Sequence, residues 1–70
     1  MKQSDLNFKE NTKNCVWCDW HGKVEFYWEI RSNYIVITQD KYLDIYVPDN
    51  ATPSLVRKEI CQWLEASFNA

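Results

Sequence analysis

Two groups of residues in this 70-residue chain have the types and spacing to do chemistry. The first is Cys15-x2-Cys18-x2-His21, with Cys61 far downstream. Thiolates and an imidazole are ligands of tetrahedral zinc, and the first pair has the spacing of a metal knuckle. A zinc ribbon normally brings a second CxxC pair, which this sequence lacks. Geometry adds a condition. Residues three apart on a strand lie about 10 Å apart and point to opposite faces. A Cys3His zinc site built from Cys15, Cys18, His21 and Cys61 therefore requires residues 15–20 to form a knuckle. If they form a strand, Cys15 and Cys18 can share neither a metal nor a disulfide, whose Cα atoms must lie within about 7 Å. Cys61 then reads as a small buried hydrophobe. A redox CxxC would need a helix start inside a βαβ unit, and the pattern offers none.

The second group is Tyr27, Tyr34, Tyr42 and Tyr46, together with Glu29, Arg31 and Asp44. Tyr and Arg are favoured anchors of protein interfaces, and neighbouring acids help to select the partner. Unpaired bases can also stack on sheet aromatics, but Glu25, Glu29 and Asp44 would repel the phosphates.

Catalysis finds little material. His21 is the only histidine and falls at a turn signal. Ser4, Ser32, Ser54 and Ser67 have no evident base partner, and there is no Gly-rich phosphate loop. Glu25 and Glu29 would stand on an open face, with nothing to desolvate them into an acid–base pair. The reading is therefore non-enzymatic and free of cofactors, with zinc confined to the alternative.

The elements that would position these residues follow from periodicity. Val24, Phe26, Trp28 and Ile30 alternate with Glu25, Tyr27, Glu29 and Arg31, and the period of two continues through Ile35/Ile37 and Leu43/Ile45/Val47. Strands are expected over about 23–31, 34–38 and 42–47, with a further one over about 15–20. A His21-Gly22 hairpin would set Trp17 opposite Phe26 and Cys15 opposite Trp28. A Ser32-Asn33 turn would set Ile30 opposite Ile35. Keeping the apolar faces together requires a three-residue loop at Gln39-Asp40-Lys41, which brings Ile37 to Leu43 and Ile35 to Ile45. Thr52 and Pro53 supply an N-cap and a first helical residue. Val56, Ile60, Trp63, Leu64 and Phe68 then recur at helical spacing, which predicts a helix over about 53–68.

The expected fold is thus α+β: a three- to four-stranded antiparallel meander with one C-terminal helix on one face. Residues 1–14 are polar and read as a loosely ordered arm, leaving 15–70 as a single domain. In this register all four tyrosines fall opposite the helix. Arg31, Tyr34 and Tyr46 form one row, Glu29, Val36 and Asp44 the next, and Tyr27, Thr38 and Tyr42 a third. Arg57 and Lys58, near the start of the helix, oppose its dipole.

Composition sets the outer bounds. The chain is 46% hydrophobic and 16% aromatic with one Gly and two Pro, which argues for a packed core and against disorder. A net charge of −2 with scattered Lys and Arg argues against broad capture of nucleic acid. No stretch approaches the roughly 18 apolar residues of a membrane span, and no apolar run follows Met1. Three cysteines, an odd number, fit reduced thiols and a cytoplasmic setting better than a disulfide framework.

In size and composition the chain resembles small inhibitors encoded by phages and mobile elements, anti-CRISPR proteins among them. The likeness carries no motif. It implies a protein that occupies a surface of a larger partner. A homodimer using the tyrosine face on itself is the structural alternative.

Overall fold

A computed structural model describes residues 2–38 and 44–68. After a 3-10 turn at Gln3–Asp5 come the strands β1 (Asn7–Asn11), β2 (Cys15–Trp20), β3 (Val24–Glu29), β4 (Tyr34–Ile37) and β5 (Ile45–Tyr46), and then the helix α1 (Pro53–Phe68). The strands form one antiparallel sheet in chain order, β1-β2-β3-β4-β5. This is the α+β arrangement expected, with five strands in place of three or four. No helix among the described residues is long and apolar enough to cross a membrane.

The extra strand comes from the segment read as an arm. Its sequence, Asn7-Phe8-Lys9-Glu10-Asn11, shows little alternation because the strand lies at the sheet edge and is held through its backbone. A bulge between Phe8 and Glu10 also breaks its period of two. Arg57 ties this segment to the helix. Its Nε donates to Gln3 Oε1 at 3.1 Å and its Nη1 to Asn11 Oδ1 at 2.9 Å. A cation against the dipole in the first turns of α1 thus acts as a clamp on the N-terminal segment.

The β2–β3 hairpin differs from expectation by one residue. His21 and Gly22 both take positive φ, 55° and 68°, and Lys23 N–H donates to Trp20 C=O at 3.0 Å. Pairing resumes with Trp20 opposite Val24, so Lys23 is a third loop residue, and Trp17 faces Tyr27 rather than Phe26. Cys15 correspondingly faces Glu29, not Trp28. A shift of one flips every side chain, so Val16 and Cys18 enter the core and Trp17 leaves it.

At the β3–β4 turn the shift is two residues, which preserves the faces. Phe26 pairs with Ile37 and Tyr27 with Val36. Strand β3 stops at Glu29 because Arg31, at φ 70°, turns the chain, and Ile30 is left 49% exposed instead of facing Ile35. Trp28 closes this turn from below: its buried indole Nε1 donates to Ser32 C=O at 3.3 Å. Across β4 and β5, Ile35 meets Ile45 and Tyr34 meets Tyr46, the register that the three-residue loop was meant to secure. The loop itself, with Tyr42 and Leu43, lies outside the described residues.

The core sits between the sheet and α1. Phe26, Trp28 and Ile35 from the sheet meet Val56, Ile60 and Leu64 from the helix, all six at 1% exposure or less. Thr52 caps α1, its Oγ1 accepting from Leu55 N–H at 3.2 Å. Trp63 packs edge-on to Phe26 with centroids 5.7 Å apart, and Phe68 lies 5.0 Å from the Trp20 ring.

Candidate functional site: the outward face of the sheet

The helix covers one face of the sheet, and the other is built by the complementary positions of each strand. Glu10, Trp17, Tyr27 and Val36 form a central row from β1 to β4. Asp19 and Glu25 lie on one side of it, and Cys15 and Glu29 on the other. Tyr34 and Tyr46 pair on the β4–β5 wing, 45% and 83% exposed. Asp44 lies just before β5 and is exposed.

Two ring-and-carboxylate units organise this surface. In the first, Lys9 Nζ lies 5.1 Å from the centre of the Trp17 ring and forms an ion pair with Glu25. The hydrogen bond and charge of Lys9 hold the Glu25 carboxyl below its usual range, and Thr38 Oγ1 adds a contact at 3.4 Å. In the second, Tyr27 Oη donates to Glu29 Oε1 at 2.6 Å. That bond, aided by desolvation, keeps the Tyr27 phenol protonated far above its ordinary range. The two units touch through Trp17 and Tyr27, which meet edge-on at 6.2 Å. A depression of about 370 Å³ opens beside the second unit, lined by Tyr27, Glu29, Ile30, Arg31, Tyr34 and Val36 among others.

Of the residues singled out from sequence, the sheet gathers Tyr27, Glu29, Tyr34 and Tyr46 on this face, with Asp44 beside them. Arg31 does not join Tyr34 and Tyr46 in a strand row, because it lies in the turn and only borders the depression. Val36 stands opposite Tyr27, not in a row with Glu29, as the two-residue shift requires. Tyr42 lies outside the described residues. Trp17, Lys9 and Glu10 were missed as members of the face. The signal for Trp17 was available: a loop ending at Lys23 rather than Gly22 would have moved it outward.

The zinc ligands are not brought together. Residues 15–20 form a strand, with Cys15 outward beside Tyr27 and Cys18 inward in the core. Cys61 also joins the core, while His21 sits in the hairpin turn against the Trp20 ring at 4.7 Å. Among the described residues no three His, Cys, Asp or Glu side chains are grouped to hold a metal ion. Burial pushes the Cys18 thiol up to about 12, and it raises Cys15 and Cys61 as well. These are protonated, weakly nucleophilic thiols.

Compared with known proteins, the chain matches no family model, no curated protein and no solved structure.

Proposed function

We propose that this chain is a non-enzymatic interaction module that binds a larger protein through the outward face of its sheet. The observation that carries the reading is that every described tyrosine lies on one face, with Trp17 beside them. Trp17, Tyr27, Tyr34 and Tyr46 all stand on the face that α1 leaves uncovered, and Tyr34 and Tyr46 are well exposed. Amphipathic rings of this kind bury large area at low entropic cost and dominate interface energetics. The surrounding carboxylates would set partner choice and orientation more than raw affinity. By analogy of size and composition alone, we read the module as an inhibitor of the phage and mobile-element type, acting in the cytoplasm by occupying a partner's working surface.

Affinity capture from the native host, wild type against Tyr34→Ala/Tyr46→Ala, tests this. Partners that bind the wild type should be lost with the double variant while its circular dichroism and thermal melting stay intact. An unchanged set of partners on an intact fold would refute the use of this face. Light scattering addresses a second copy as the occupant: a constant monomer mass across concentrations rules it out.

A further inference from the structure

The outward face is charged unlike the rest of the molecule. Among the described residues its strands carry Glu10, Asp19, Glu25 and Glu29 against the single base Lys9, and the opposite charges of Asp44 and Arg31 flank the strands. Four acids and one base put a net −3 on the strands of one side of a chain whose total is −2.

This face also displays the recognition unit it favours. Lys9 sits over the Trp17 ring and is ion-paired with Glu25, a cation held between a π-face and a carboxylate. Glu29 repeats the arrangement with tyrosine rings. Tyr27 Oη fixes one carboxylate oxygen at 2.6 Å, the exposed Tyr34 ring stands nearby, and both line the depression with Ile30 and Val36. No basic side chain among the described residues pairs with Glu29. Arg31 borders the same depression from its turn without an ion pair to it.

We infer that this face takes a basic, arginine-bearing segment of the partner protein, with Glu29, Tyr27 and Tyr34 forming the seat of a guanidinium. The inference rests on the interaction reading above and names the partner's chemistry. A guanidinium can bond the carboxylate through its planar fork and stack on a tyrosine ring at the same time. Ile30 and Val36 offer apolar surface to its methylene stem. Charge complementarity singles out this occupant: a nucleic acid would meet a net −3, and a second copy would set two such faces against each other.

The test titrates a fluorescein-labelled octa-arginine peptide with the full chain at low and physiological salt, reading anisotropy. Wild type should bind, with affinity falling as salt rises. Glu29→Gln should weaken binding about fivefold, near the upper limit for a solvent-accessible ion pair. Glu59→Gln, which removes the same charge from the helix, should leave it unchanged. Arg31→Asn, which removes the like charge at the rim and tolerates the positive φ, should tighten it. No binding of octa-arginine, or equal weakening by Glu29→Gln and Glu59→Gln, overturns the inference. Binding of a labelled oligonucleotide, or a dimer mass that Glu29→Gln raises, assigns the face to another occupant and overturns it too. Capture of a partner that depends on Tyr34 and Tyr46 is read independently. A negative peptide result beside a positive capture therefore removes the basic segment and leaves the interaction reading standing.

Discussion

Cys18 shows how far burial alone sets the chemistry of a residue. It is fully enclosed between the sheet and α1, and its thiol is pushed up to about 12, first by desolvation and then by the charges of Asp19, Cys61 and Glu25. The folded protein therefore holds a proton that the unfolded chain releases above about pH 8.5. The stability tied to this group is complete below that value and is lost as pH rises towards 12. Urea melts across pH 9–11 should show stability falling by as much as about 1.4 kcal/mol per pH unit more steeply in wild type than in Cys18→Ala. Cys18→Ala itself should be less stable at neutral pH, because it opens a small cavity. Parallel pH profiles for the two proteins would show that Cys18 ionises in the folded state as it does in the unfolded one. Cys15 differs in position, since it faces outward between Glu10, Tyr27 and Glu29.

Elements differ in how openly their sequence declares them. Helix α1 occupies the expected span because Thr52-Pro53 marks a start and the apolar periodicity runs unbroken, and β2 also takes its expected span although Cys15–Trp20 shows no clean alternation. Parity was harder to read. In the β2–β3 hairpin, His21-Gly22 is the turn pair, but Lys23 adds a residue before pairing resumes, and one backbone residue decides which face Trp17 occupies. Ile30 extends the apolar alternation past the true end of β3, where the backbone at Arg31 overrides it. Strand β1 carries almost no side-chain signal, since its pairing with β2 and its bulge are backbone features. The same three facts limited the reading of the site. Tyr27, Glu29, Tyr34 and Tyr46 survived because a two-residue shift keeps their face, whereas Trp17, Lys9 and Glu10 depended on the hairpin register and on β1. The Arg57 clamp belongs to this scale. Arg57→Ala should remove both bonds to Gln3 and Asn11 and speed amide exchange across Asn7–Asn11, with a global cost of about 0.5–1.5 kcal/mol. Unchanged exchange in β1 would show that its pairing with β2 suffices.

At the scale of the whole molecule, a single helix can close only one side of a five-stranded sheet. Leu64, Ile60 and Val56 seal the inner side with Phe26, Trp28 and Ile35. The outer side carries Trp17, Tyr27, Tyr34, Tyr46 and four of the chain's ten acids, among the described residues. Folding consumes the first set of side chains and leaves the second to solvent or to a partner. The measurement that addresses this division most directly is hydroxyl-radical footprinting of the free chain and of its captured complex, with modified residues identified by mass spectrometry. Protection is expected at Tyr34, Tyr46 and Trp17, with Trp63 and Phe68 on the helix side labelled equally in both states. Protection confined to the helix side, with Tyr34 and Tyr46 labelled as in the free chain, would contradict the assignment of the outward face.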